Sequence, residues 1–352
     1  MIRTTRSALA VAAASALVLT ACGNDEETTN GNGANGAEGA EAQSLVLYSG
    51  RNEELIQPLI DQFQDETGID VEVRFGETAE LAAQLLEEGE DTPADVFLAQ
   101  DAGALGAVAQ EGMFADLDQD LLDRVPELYR DDADTWVGVS GRLRTLIYNT
   151  DLVDESELPN TVEDLTGPEF EGRVGIAPTN ASFQAFVTAF RVAEGEDAAQ
   201  DWLEQMTEND PQYREGNGPI VSEVLDGALE MGLVNHYYLY AQAEERGVDP
   251  EDLPAANHLF GDGDVGALMN VAGAGILNED SAAAVELLEY FLSEEGQQYF
   301  VEETSEYAMV DGLDAPAGLP DLDELDVPDI DLNQLDDLET TIQMITEAGM
   351  AG

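Results

Sequence analysis

The chain has 352 residues, of which 12 are basic and 76 acidic, giving a formal net charge of −64; every basic residue is Arg. That balance argues against a nucleic-acid binder, because neutralising phosphates takes Lys and Arg patches. The 43% hydrophobic content argues against disorder throughout, and two His with one Cys argue against a zinc cluster and exclude an internal disulfide.

Arg3 and Arg6 precede an apolar stretch over residues 8–20, a positively charged start followed by a run too short for a permanent membrane span. The run ends Leu19-Thr-Ala-Cys22, which looks like a bacterial lipobox. The expectation is cleavage after residue 21 and a lipid on Cys22, so that the mature protein is anchored rather than spanning. Residues 23–43 are Asn-, Gly- and Glu-rich without apolar periodicity and read as a flexible tether.

Residues 44–48 read as a strand, and 53–66 as a helix stopped by Gly68, with Pro58 suggesting a kink or a late start. Residues 69–75 alternate as a strand, 78–88 form a helix, 94–99 a strand and 102–110 a helix. This β-α-β-α-β order predicts a mainly parallel sheet with covered faces. The pattern restarts after Trp136. Strands are expected at 142–148, 173–177 and 255–259, and helices at 182–193, 198–207 and 220–229. Residues 265–271 are a buried run, 282–291 and 296–303 amphipathic helices, and 332–348 a final helix. The Pro- and Asp-rich stretch 309–329 wraps the surface, and Asp262-Gly-Asp264 reads as a turn. The acidic bias is spread along the chain, as in proteins from high-salt environments, where self-repulsion is screened.

Within Leu233-Val-Asn-His-Tyr-Tyr-Leu-Tyr-Ala241, a strand ends and a helix from Tyr238 to Gly247 begins. Adjacent strand residues face apart, so Tyr237 and Tyr238 can share a site only where the strand yields to a turn or a first helical turn. Such junctions are where open α/β sheets place ligands. A phenol ionises near pH ~10 in water, but a strongly Lewis-acidic cation deprotonates its ligands, so paired phenolates suit a hard metal such as Fe3+. Packing at a strand end is the plainer reading of the pair.

Asn235-His-Tyr-Tyr238 resembles the Asn-x-Tyr-Tyr segment of the bacterial ferric-binding proteins, the substrate-binding components of ABC transporters for Fe3+. Further markers are Tyr48-Ser-Gly-Arg51, Pro93-Ala-Asp-Val-Phe97, Ser140-Gly-Arg-Leu-Arg144, Pro178-Thr179 and Gly266-Ala-Leu268, and the resemblance spans about residues 45–349. It implies an α/β, two-lobed periplasmic-binding-protein fold of type II with a ligand cleft between lobes. Lobe 1 would hold 44–125 and 268–318, lobe 2 would hold 145–267 and 319–352, and 126–144 would be the hinge region. Residues 1–21 would be signal peptide and 22–43 an acidic tether.

By the same resemblance Tyr237 and Tyr238 match the paired iron ligands, and Asn235 matches an asparagine that holds a synergistic anion, phosphate or carbonate. Asn217 falls near a second such asparagine. The helix start at Asn180, Ala181 and Ser182 falls on the backbone anion site, which free N–H groups at a helix N-terminus suit, although Asn180 also reads as a plain N-cap. Where one branch of the family has His and Glu ligands, this chain has Asn52 and Gln100, both neutral and weaker donors. Glu53 and Asp101 lie beside them as substitutes, and Arg142 with Arg144 could contact an anion.

The expected function is a lipid-anchored, monomeric Fe3+-binding protein that delivers iron to an ABC permease without chemistry. Its surroundings would be the outer side of the cytoplasmic membrane, with no nucleic acid and no catalytic cofactor. The alternative is the same scaffold carrying an oxyanion or an organic cation such as thiamine. A secreted enzyme would need a perturbed acid, base or nucleophile in the cleft, and the sequence offers no clear candidate.

Overall fold

The computed structural model describes residues 43–261 and 263–350. The leader, Cys22, the tether up to residue 42 and Asp262 lie outside the described residues.

The chain begins with β1 (Ser44–Ser49), α1 (Glu53–Thr67), β2 (Asp70–Phe75), α2 (Thr78–Glu88), β3 (Val96–Ala99), α3 (Ala102–Gln110) and the short α4 (Gln119–Leu122). In α1, Ile56, Leu59, Ile60 and Phe63 make one buried stripe at helical spacing. The Asn52 side chain accepts from the Glu54 N–H at the start, and Gly68, at φ 74°, turns the chain out at the end. Pro58 does not delay the helix, which runs from Glu53 through it. Parallel pairing of β1 with β2 and β3 completes the predicted β-α-β-α-β unit.

The middle of the chain holds β4 (Trp136–Asn149), β5 (Val174–Ile176), α5 (Ala181–Glu194), α6 (Glu196–Glu208), β6 (Gln212–Tyr213) and α7 (Asn217–Leu225). It continues with β7 (Met231–Asn235), α8 (Tyr237–Arg246), β8 (Ala255–His258) and β9 (Met269–Ile276). Last come α9 (Ala282–Phe291), α10 (Glu294–Glu303), β10 (Tyr307–Ala308) and α11 (Leu338–Glu347). The strands follow the order β2-β1-β3-β9-β4-β7-β5-β6, with β8 and β10 attached to β4.

β4 joins the two halves of this sheet. Its first part pairs antiparallel with β9 from Trp136 to Leu143, and its second pairs with β7 from Arg144 to Tyr148. All 14 residues are buried, Arg142 and Arg144 included. The strand therefore starts six positions before the expected Arg142. A strand covered on both faces shows no alternation to read, and the polar residues within it hide its continuity. β9 also extends beyond the expected buried run. Its Gly273 lies where a Cβ would come 2.6 Å from Leu105 Cδ1 and 2.8 Å from the Val137 carbonyl, so close packing demanded residues that a hydrophobic count overlooks. The final helix is shorter than expected. Residues 332–335 form a 3₁₀ turn, and α11 starts at Leu338 under a cap from Asp337.

The main apolar core runs through both halves, with a smaller cluster of Ile147, Ile220, Val224, Val234 and Leu239 beneath α7 and α8. That cluster backs Tyr238 and fixes the platform on which the tyrosine pair stands.

Candidate functional site

β7 ends at Asn235 and α8 begins at Tyr237, so the change from strand to helix falls between the two elements that carry the site. The turn brings the adjacent tyrosines together. Their rings stack with centroids 4.6 Å apart at 24°. Tyr237 is 8% exposed and Tyr238 half-buried. Burial first, then the neighbouring Tyr238, pushes the Tyr237 phenol above its usual range, while Arg142 pulls it back. The free protein therefore keeps this phenol protonated, and a cation must displace its proton to use the oxygen.

His236 locks the junction. Its Nδ1 accepts from the Leu143 N–H at 3.0 Å, which places the ring proton on Nε2 for donation to the Ser305 carbonyl at 2.7 Å. Its ring meets Tyr237 edge-on at 5.8 Å. Burial pulls His236 down to about 4, so it is neutral at ordinary pH. From the sequence this histidine could be weighed only as a zinc ligand. Its role as a strut between β4, α8 and the turn after α10 is invisible without the fold.

Arg142 and Arg144 sit two apart on β4 and so share a face. Arg144 Nη1 donates to Ser182 Oγ at 3.2 Å and Nη2 to the Leu233 carbonyl at 3.1 Å, while its guanidinium lies 5.8 Å from the Phe183 and Phe186 ring centres. Burial lowers it to about 9 against the opposing pull of Tyr238 and Tyr237. Arg142 Nη2 donates to the Gln100 carbonyl, and its Nε lies 4.0 Å from Glu306. Glu306, 1% exposed, takes Arg51 Nη2 at 2.6 Å and hydroxyls from Ser140 and Thr304, each at 3.1 Å. Two buried guanidiniums, Arg51 and Arg142, thus face one fully buried carboxylate, and a third, Arg144, lies under the influence of the two phenols. Among the described residues the Nε atoms of Arg51, Arg142 and Arg144 have no hydrogen-bond partner. Glu306 could not be picked out among 76 acidic residues.

The expected anion residues converge in part. Asn180 caps α5 by accepting from the Ser182 N–H at 3.1 Å. Ser182 Oγ donates to Asn180 at 2.5 Å and receives Asn217 Nδ2 at 3.0 Å. Among the described residues Asn217 Oδ1 is buried without a hydrogen-bond partner. Asn235 and Ser182 line a small pocket with Arg142, Arg144, Leu268 and Asn270, of ≈ 10 Å³, about the space of one water. Ala181 lines a larger cavity next to it. Asn270 was not anticipated.

The positions expected to replace the stronger ligands behave differently from one another. Asn52 is exposed, with its amide oxygen committed to the α1 cap at 2.8 Å, and Glu53 is exposed beside it. Among the described residues no hydrogen bond joins either to the tyrosines. Gln100 is half-buried, its N–H on Thr78 Oγ1 at 3.1 Å and its carbonyl under Arg142. Asp101 caps α3 through the Ala104 N–H at 3.1 Å; burial raises its carboxyl, and the Ala104 bond and Arg142 oppose the rise. Among the described residues no group of three or more His, Cys, Asp or Glu could hold a metal. No described helix is long and apolar enough to cross a membrane.

The sequence matches the model of the bacterial extracellular solute-binding protein family over residues 91–334. It is 32% identical to an Fe(3+)-binding periplasmic protein of Serratia marcescens over 319 residues, covering 90% of this chain and 93% of that one. It is 28% identical to the major ferric iron-binding protein of Neisseria meningitidis, over 87% of this chain and 93% of that one. The iron-bound structure of HitA from Pseudomonas aeruginosa superposes with a TM-score of 0.80 at 32% identity, covering 87% of this chain and 99% of HitA.

Proposed function

Because the chain belongs to the bacterial extracellular solute-binding proteins and, within them, to the ferric-iron-binding periplasmic proteins with their two-lobed α/β fold, we propose that it captures Fe3+ with Tyr237 and Tyr238 and hands it to an ABC permease. The observation that carries this reading is the stacked phenol pair set beside buried, incompletely partnered guanidiniums. Burial disfavours isolated charge, so an excess of buried positive charge favours phenolate formation and a bound anion. Fe3+ supplies the force that removes the phenol protons.

A synergistic anion, phosphate or carbonate, accompanies the metal in this reading. Asn235, Ser182, Arg142 and Arg144 would hold it, with Asn180, Ala181 and Asn217 shaping the helix start behind them. The water-sized pocket has to widen to admit it. Gln100 would complete the metal shell in this reading, with Asp101 beside it. Asn52 and Glu53 would have to leave their exposed positions to take part. Closure of the two lobes on the cargo gives the form that the permease would recognise, and no chemical conversion is involved. A lipid on Cys22 would keep the monomer on the outer side of the cytoplasmic membrane, with residues 22–43 as its tether. In this reading 44–125 and 268–318 form lobe 1, 145–267 and 319–352 lobe 2, and 126–144 the hinge region.

Adding Fe3+ with phosphate to the purified protein should produce a visible phenolate-to-iron absorption band and a higher melting temperature, since a ligand bound only by the folded state stabilises it. Tyr237→Phe and Tyr238→Phe should each weaken or shift the band, and the double variant should lose it. A colourless protein whose melting ignores Fe3+ plus anion overturns the assignment.

A further inference from the structure

Between α2, α3 and α5 lies a cavity of ≈ 610 Å³. Its walls are short side chains, among them Ala82 of α2, Ala104 and Ala107 of α3 and Ala185 of α5; Leu335 and Leu338 of the C-terminal segment form its roof. The roof rests directly on α3. A Cβ at Gly103 would come 2.5 Å from the Leu335 carbonyl, so glycine is what lets the segment lie this close. Packed interfaces interdigitate and leave few voids larger than a water. Here alanines stand where larger side chains would close the gap, and the space that remains is within the usual size of a small-molecule site, roughly 300–1,000 Å³.

The cavity adjoins the water-sized pocket, whose Arg142 and Arg144 act electrostatically on Tyr237 and Tyr238. Gln100 forms part of its wall and takes a hydrogen bond from Arg142 on its carbonyl; Ala181 forms another part and precedes Ser182. Arg142 and Ser182 both line the water-sized pocket. The charge of the larger cavity is the opposite of that pocket's. Glu77, Asp101, Asp336 and Glu339 border it, and among the described residues no basic side chain does. An anionic occupant would meet like charge there, which disfavours it.

These observations bear on the form in which the metal arrives. Asn52 has its oxygen in a helix cap and Gln100 is neutral, so two phenolates leave much of an Fe3+ coordination shell to be filled from outside the protein. We infer that the cargo includes a ferric chelate whose organic body is small and uncharged, with the metal at Tyr237 and Tyr238 and the body in the alanine-lined cavity. The fitting class is a bidentate oxygen chelator with an apolar substituent, of the hydroxamate type. The inference rests on the ferric reading above and adds the class of ligand carried with the metal.

The test compares Fe3+ complexes that share a chelating head and differ in body. The whole protein is titrated with 1:1 ferric benzohydroxamate, ferric acetohydroxamate and ferric citrate, with Fe3+ plus phosphate as reference, following the phenolate band. Burying the phenyl in place of a methyl should favour benzohydroxamate by about tenfold or more. Citrate, with a charged body, should gain nothing over phosphate. Ala107→Trp fills the cavity; it should abolish the benzohydroxamate preference and leave the phosphate titration unchanged. Should that variant melt lower without ligand, Ala185→Leu is read in the same way. Equal affinity for the two hydroxamates in the unaltered protein, or a preference that survives filling, overturns the inference. A band with phosphate but no hydroxamate preference defeats the chelate alone, whereas no band in any arm defeats the ferric reading beneath it.

Discussion

The interior seam beside the tyrosines and the protein's outer surface handle charge in opposite ways. Outside, carboxylates greatly outnumber their partners, and ion pairs such as Arg173 with Glu157 join partly exposed groups at 3.1 Å. Inside, Arg51, Arg142 and Arg144 outnumber Glu306, and all four are almost fully buried. Surface carboxylates remain hydrated and interact weakly, so many can accumulate without specifying structure. Each seam charge has lost its water and depends on named partners. In a chain with so few basic residues, placing three of them around one tyrosine pair marks that place as the region where positive charge is needed.

The largest effect should come from breaking the seam. Glu306→Ala leaves Arg51 and Arg142 without their buried carboxylate, and removing one partner of a buried pair costs about 3–5 kcal/mol. Denaturant unfolding measures this, and a loss below about 1 kcal/mol would show that water already screens the seam.

His236 sharpens the contrast through pH. Its folded value is depressed from 6.5 to about 4 by burial, so the unfolded chain binds a proton there that the folded chain refuses. Its contribution is full above pH 6.5 and is lost as pH falls toward about 4. The difference amounts to about 3 kcal/mol. Melting curves of the protein and of His236→Gln between pH 7 and 4 should converge at the acid end; parallel curves would mean that the histidine is not buried neutral.

Salt probes the other region. Raising ionic strength from low to molar should raise the melting temperature by several degrees, because it screens repulsion among exposed carboxylates far more than interactions within the seam. Glu306→Ala should keep the same salt slope while melting lower throughout. A flat response would remove the high-salt reading of the composition. The smallest effect on folding is expected from Cys22→Ser, which should leave melting unchanged and release the protein into the medium or leave it unprocessed. A variant that stays membrane-bound and correctly cut defeats the lipid anchor.

Much of the fold was legible because its elements advertise themselves locally. The α1 stripe, its Asn52 cap and its Gly68 stop follow from residues within a few positions of one another. β4 and β9 were harder, since one is buried on both faces and the other uses glycines to fit under Leu105 and Phe114. At the site, the tyrosine pair stood out as two adjacent phenols at a strand end. Glu306, His236 and Asn270 did not, because their partners come from segments far away in the chain.

By itself, the sequence determined the α/β class, the acidic surface and the position of the Tyr237–Tyr238 junction, since composition and short-range periodicity govern these. Only the tertiary structure decided that Asn52 spends its oxygen on a helix cap and that His236 braces Leu143 against Ser305. It also decided that Arg51 and Arg142 meet at Glu306, and that alanines from α2, α3 and α5 enclose a cavity under the C-terminal segment. The physical reason is range: caps and stripes are set by neighbours along the chain, whereas burial, ion pairing and enclosed volume arise when β4 and β9 bring distant segments together.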